Sequence, residues 1–368
     1  MRKFRRSSAL GVVAATVVAS GLFATPGTAA AIDGCPNYDG ASHCYGIGRF
    51  GYTAGQGPVY MNAMWSQLRV YCLAVGDPST DFVDYEMWMS TNNNNPSLST
   101  WVESGLTDGT LYYSPGQEQG FINFWADYRP DGSYNEHYIG PASLNAYNTA
   151  AFYWVTNTNN WDVYFNSSYV GTSTNNGAFA GGGDNGIEST SPVMAIDGDT
   201  YGWSYADPSN NWHDVYNDPF VNDSGGLLTG SASGPAVHAQ TTQGCTLPSA
   251  TPAVSTPATS GSMADAANRV ARMLGDSQPG SMSYVKTTRQ KASTTASGGR
   301  VNTDQSVYLI ELPGKFTTPA ARVPQGKKAA TGSNLTVTVD AANGQVLDWG
   351  ITNTPTTLST LGAVSALG

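Results

Sequence analysis

The sequence predicts an antiparallel all-β sandwich or jelly roll, followed by a small α+β domain. Three observations carry this. Short β-prone runs recur from 58 to 191, punctuated by Asn, Gly, Pro and Asp. Helical periodicity is missing from that stretch. After a Pro/Ser/Thr/Ala run at 248–261, an amphipathic helical segment precedes alternating strands.

Taken in order, residues 1–31 read as a signal peptide. "MRKFRR" is basic, "ALGVVAATVVASGLFA" is apolar, and "TPGTAAA" ends in small residues. The apolar run is short for a membrane span. The mature protein is therefore expected to be secreted, free of the membrane and monomeric. The sandwich is assigned to 32–247. Its strands are read at 58–75, 81–91, 100–107, 120–129, 149–157, 161–173 and 186–191, with turns at "NNNNP" and "RPDG". Four cysteines in an exported chain suggest two disulfides, and Cys35–Cys44 with Cys72–Cys245 is the preferred pairing. Residues 248–261 form an extended linker. In 262–351, "SMADAANRVARMLGD" places Ala266, Val270, Met273 and Leu274 near one helical face, and hairpin strands follow. Residues 352–368 are expected to be a flexible tail.

Charge divides the chain. Residues 32–248 hold three basic and 21 acidic residues, a net −18, whereas 249–368 carry +4. The acidic segment excludes nucleic acid as its partner. The opposite signs predict that the basic C-terminal segment docks over the acidic one as an intramolecular cover.

Alternation along the strands points to candidate residues. In 82–90, Asp84, Glu86 and Trp88 share one face, and Val83, Tyr85, Met87 and Met89 share the other. Trp101 and Glu103 point together, away from Val102. In "FINFWADYRP", Asn123, Trp125 and Asp127 fall on one side, and Ile122, Phe124 and Ala126 read as ordinary core. An aromatic beside a carboxylate thus recurs on three strands. Indole and phenol rings suit sugar rings or extended peptides. Carboxyls held close together can share a proton and divide acid and base roles. Glu136 and His137 are neighbours on a strand, so they face opposite ways. His137 or Tyr134 could instead serve a lyase acting on uronic sugars. The histidines show no metal spacing, and "IDGDT" and 207–223 read as turns before calcium loops. No metal and no cofactor is expected.

"WVESG" followed by "FWADYRP" resembles the glutamic peptidases of the eqolisin type. The resemblance implies a concanavalin-like jelly roll that works on peptide bonds at acid pH. The family's Gln falls at Glu103 and its Glu at Asp127, and "GIEST" matches a later strand. Gln has become Glu and Glu has become Asp, so the family's oxyanion-stabilising amide is missing or supplied by Asn123. "YLIELPGKF" with "LTVTVDAANGQVLDWGI" resembles the PepSY-type module of exported bacterial proteins.

The expected function is an exported acid hydrolase, a glutamic-type endopeptidase with Glu103 and Asp127 as its dyad. Trp101, Trp125, Trp88, Asn123 and Glu86 would line the substrate cleft. The alternative is a lectin-like, carbohydrate-binding sandwich or a glycan-active enzyme that uses the same face. The partner would be an extracellular protein or polysaccharide.

Overall fold

The computed structural model describes residues 37–38, 41–51, 59–78, 80–91, 100–109, 121–178, 180–216, 219–247, 263–318, 322–324, 327 and 329–367. The expected signal segment, the linker and Cys35 lie outside these residues. In chain order the elements begin with β1 (Asn37–Tyr38), β2 (Ala41–Ser42), β3 (Cys44–Phe50), β4 (Ala63–Val75), β5 (Phe82–Ser90) and β6 (Trp101–Gly109). They continue with β7 (Ile122–Tyr128), β8 (Tyr134–Pro141), β9 (Tyr147–Trp154), β10 (Trp161–Phe165), β11 (Ser168–Ser173) and β12 (Gly182–Ser189). Next come β13 (Met194–Ala206), β14 (Trp212–Asp214), β15 (Phe220–Asn222), β16 (Leu228–Ser233) and β17 (Ala236–Thr241). The C-terminal segment adds α1 (Met263–Met273), β18 (Met282–Thr288), α2 (Arg289–Ser297), β19 (Arg300–Val301) and β20 (Ser306–Thr317). It ends with β21 (Thr331–Asp340), β22 (Val346–Thr352), a 3-10 turn (Leu358–Thr360) and β23 (Ser365–Leu367).

Among the described residues two large antiparallel sheets form, as the sequence predicts. The nine-stranded back sheet runs β16-β17-β13-β4-β9-β10-β11-β19, with β14 on β13. The twelve-stranded front sheet runs β15-β3-β12-β5-β6-β7-β8-β22-β21-β20-β18-β23. The apolar sides of β4, β5, β6, β9, β10 and β13 face one another as the sandwich core, through Met64, Leu68, Val83, Met87, Leu106, Phe152 and Ile196. Cys72 on β4 is bonded to Cys245, as expected. Their separation of 173 residues makes the loop-closure gain about 5 kcal/mol. Cys44 is also disulfide-bonded, and its expected partner Cys35 lies outside the described residues.

The middle of the front sheet, β12, β5, β6 and β7, is buried on both sides. Its second side packs on the C-terminal segment: Trp88, Trp101, Phe124 and Tyr134 share a cluster with Ala266 and Val270 of α1, with Leu274 just after it, and with Leu335 and Val337 of β21. Asp265 in the first turn of α1 and Arg272 in the last match the helix dipole. The front sheet itself crosses from one segment to the other where Tyr134–His137 of β8 pair with Asp348–Ile351 of β22. Residues 32–368 consequently form one compact unit. The expected flexible tail is ordered: Leu358 is buried beside Val285 and Leu309, and β23 pairs with the otherwise open edge of β18. Among the described residues no helix is long and apolar enough to cross a membrane.

Candidate functional site

Register builds the site. Antiparallel partners lie directly opposite one another and point to the same side of the sheet. One row crosses the front sheet as Tyr45–Glu188–Asp84–Thr107–Ile122. A second runs Trp88–Glu103–Ala126–Glu136–Trp349. Between them lies Glu86, opposite Gly105. A Cβ on Gly105 would come within 2.4 Å of the Glu86 Cβ, so only glycine fits beneath that side chain. Five carboxyls therefore converge on the side of the front sheet that faces away from the sandwich core.

The expectations for β5 and β6 hold: Asp84, Glu86, Trp88, Trp101 and Glu103 share this side. For β7 the assignment is inverted. Ile122, Phe124 and Ala126 face the acids, whereas Trp125 belongs to the sandwich core and stacks on His137 at 4.1 Å. Asp127 shares the Trp125 side, since its partner is Val102 and the partner of Glu103 is Ala126. Glu103 and Asp127 thus lie on opposite faces of one sheet and cannot form a dyad. Asp127 instead accepts from Arg129 Nε at 2.8 Å and from Asn135 Nδ2 at 3.0 Å, and Arg129 donates on to the Ser297 carbonyl of α2. Asn123 also lies off the acid face, with its amide on the Pro141 carbonyl at 3.1 Å. The expected cleft residues Trp101 and Trp125 are buried, Trp101 stacking on Tyr128 at 4.6 Å.

Sequence reasoning left out Glu136, Glu188 and Arg322 as site residues. Tyr134 with Glu136 repeats the aromatic-beside-carboxylate alternation and could have been found by it. Tyr134 Oη lies 3.1 Å from Glu103 Oε1 and 3.2 Å from Glu136 Oε2. A phenol has one proton, so it donates to one carboxylate and accepts from the other only if that one is protonated. Burial pushes Asp84, Glu86 and Glu103 well above the ordinary carboxyl range. Neighbouring acids add to the rise: Asp84 at Glu86, and Glu188 at both Asp84 and Glu103. Neither Glu86 oxygen meets a hydrogen-bond donor among the described residues. Oxygens of Asp84, Glu86 and Glu188 lie within 4.8 Å of one another, the donor set a hard divalent cation would use.

The charge facing these acids comes from the C-terminal segment. Arg322 Nε is 3.0 Å from Asp84 Oδ2, Nη1 is 2.5 Å from Glu136 Oε2, and Nη2 donates to Thr107 Oγ1 at 2.7 Å. Its guanidinium lies 3.9 Å over the Phe124 ring. Burial works against the cation, but Glu136 and Asp84 outweigh it and keep Arg322 charged. The next residue is held by its main chain. Val323 N donates to Glu188 Oε1 at 2.9 Å, and the Val323 carbonyl accepts from Tyr45 Oη. His43 Nδ1 lies 2.5 Å from the same Glu188 oxygen. Asp84, Glu86, Glu103, Glu136 and Glu188 are all 0% exposed, so the face is closed to any substrate in this arrangement.

No family model and no curated protein matches the chain, its 262–351 segment included. Among solved structures, the chain is weakly similar to Scytalido-glutamic peptidase with a peptide-based transition-state analogue. The identity is 8%, 55% of this chain and 98% of that one are covered, and the TM-score is 0.38. SCP-B of the eqolisin family, bound to the tripeptide Ala-Ile-His, aligns at 9% identity over 55% and 98% of the chains, TM-score 0.33. Bacillus licheniformis β-glucanase aligns at 15% over 54% and 67%, TM-score 0.23. Likenesses this slight say nothing about the chemistry.

Proposed function

We propose that the protein is an exported acid hydrolase that cleaves peptide bonds with a carboxyl pair, Glu103 and Glu136. The supporting observation is that the acid face already holds a peptide: Arg322–Val323 lies across it, with both main-chain polar groups of Val323 met by side chains. Glu103 and Glu136 both reach the one hydroxyl of Tyr134, which suits a pair sharing a proton. In the reaction, the ionised member takes a proton from water as the water oxygen bonds to the scissile carbonyl carbon. The neutral member gives its proton to the leaving amine as the C–N bond breaks, and Tyr134 holds the pair in place. The peptide contact favours this reading over the glycan alternative, whose indoles are buried here.

The test is digestion of a mixed peptide library from pH 2 to 7 by the parent and by Glu103→Gln, Glu136→Gln and Arg322→Ala forms. Loss of a carboxyl is expected to slow cleavage by about 10²–10⁴-fold. Digestion by the two Gln forms at the parent's rate removes the pair. If neither the parent nor Arg322→Ala cleaves anything, the hydrolase reading ends.

A further inference from the structure

We infer that Arg322–Val323–Pro324 is a ligand bound in cis, and that the freed face takes an extended peptide carrying arginine in the same register. This rests on the peptide reading above and adds the side chain that the site selects.

Three features distinguish the contact from ordinary packing. First, the segment is not a strand: residues 322–324 pair with no neighbour in either sheet. Its main chain is read by side chains, Glu188 from β12 taking the N–H and Tyr45 from β3 giving its proton to the carbonyl. That reading depends on the peptide unit and not on which residue carries it. Second, the pocket for the preceding side chain fits a guanidinium. Nη2 donates to Thr107, Nε and Nη1 lie in ion-pair contact with Asp84 and Glu136, and Phe124 supports its flat face. A lysine ammonium is a single point and cannot span those three oxygens. Third, the charge is unbalanced without it. Five carboxyls share this buried face, and Arg322 is the cation that pairs with two of them. A buried face built with this excess of acid has most to gain from a ligand that brings positive charge. Because the segment belongs to the same chain, its effective concentration is high, and the site stays filled until the segment withdraws.

The experiment measures binding without turnover. All proteins are full-length and carry Glu103→Gln, so the probe is not consumed. The probe is a fluorescent peptide with the sequence of residues 318–330, made once with arginine and once with citrulline, which keeps the shape and loses the charge. Fluorescence anisotropy is read against the otherwise unchanged protein, an Arg322→Ala form and an Arg322→Lys form. Hydrogen exchange at 322–324 is followed in parallel.

Arg322→Ala is expected to lose protection at 322–324 and to bind the arginine peptide at least tenfold more tightly than the form that keeps Arg322. The citrulline peptide is expected to bind at least tenfold more weakly than the arginine one, and Arg322→Lys to fall between. Equal affinity for the two peptides overturns the inference. So does unchanged protection at 322–324 in Arg322→Ala, which would make Arg322 an internal counter-ion and nothing more. Should Arg322→Ala fail to fold, the Lys form decides by the same comparison of peptides. The outcomes separate the two proposals. Selective binding here, with no cleavage in the peptide-library digest by the parent or Arg322→Ala forms that keep Glu103, keeps the subsite and removes the hydrolase. Cleavage without discrimination for arginine does the reverse.

Discussion

Two buried arginines reach from the C-terminal segment to the front sheet, and their surroundings differ. Arg289 pairs with one acid: Nε and Nη2 hold both oxygens of Asp348 at 2.8 and 2.6 Å, Nη1 donates to Thr303 Oγ1, and Nη2 also donates to the Tyr138 carbonyl. His137 Nδ1 completes the group at 2.9 Å from Asp348. Burial would raise the Asp348 carboxyl, but Arg289 overrides it and holds it at about 2. Arg322, in contrast, faces five acids, and Asp84 stays well above its ordinary range despite the guanidinium beside it. One centre is balanced, with both oxygens of its single acid and all three guanidinium nitrogens hydrogen-bonded. The other is over-supplied with acid, and neither Glu86 oxygen there meets a hydrogen-bond donor among the described residues. Both are buried, so it is the imbalance that marks a site for something else to bind.

The sharpest way to break this contrast is to remove each cation. Arg289→Ala leaves the charged, buried Asp348 carboxylate without its guanidinium, with His137 beside it, and is expected to lower stability by about 3–5 kcal/mol at pH 7 in urea unfolding. Arg322→Ala leaves acids that can accept protons, so its loss is expected to be smaller at pH 5 than at pH 8. Equal losses at both pH values would erase the distinction.

The next test uses pH alone. Asp348 has a folded value near 2, below its unfolded value near 3.8, so its stabilisation is present above pH 4 and is lost as pH falls toward 2. The amount is about 2 kcal/mol, and Asp348→Asn should flatten the stability curve in that window. Asp84, Glu86 and Glu103 have the opposite sign. Their raised values give stability that is present below the ordinary carboxyl range of about 4 and is lost as pH rises through the raised values. Glu86→Gln should therefore raise stability at pH 8 by about 1–2 kcal/mol, read as a higher unfolding midpoint, and leave it little changed at pH 4. A midpoint that falls at pH 8 would show that Glu86 is ionised and paired. The smallest effect is expected at Asp127→Asn, about 1 kcal/mol from a weakened bond to Arg129, with the hydrogen exchange of 322–324 unchanged.

Much of this was legible in the strands. Alternation in "DFVDYEMWMS" and "WVESG" placed Asp84, Glu86, Trp88, Trp101 and Glu103 on one side correctly, because their opposite sides are plainly apolar. It failed at "FINFWADYRP" for a physical reason. Both sides of that strand are buried, one in the sandwich and one under the C-terminal segment, so Ile122 and Phe124 look like core wherever they point. The side with Trp125 and Asp127 then looked like the working one. Glu136 followed the same rule as its neighbours but was overshadowed by His137. Arg322 had no local signal, since nothing in "AARVPQGKK" announces a partner more than 180 residues earlier in the chain; only the charge division between the two segments pointed toward such a contact.

The seam where β8 meets β22 has a consequence of its own. Tyr134–His137 are interior to a continuous ladder because Asp348–Ile351 lie beside them. Were the C-terminal segment to leave, that run would become a bare strand edge, with a row of amides and carbonyls facing water and ready to zip onto any extended chain nearby. Shedding the segment would therefore expose the protein to self-association as well as open it, and a molecule freed of it would survive longest when dilute or when a substrate strand arrived first.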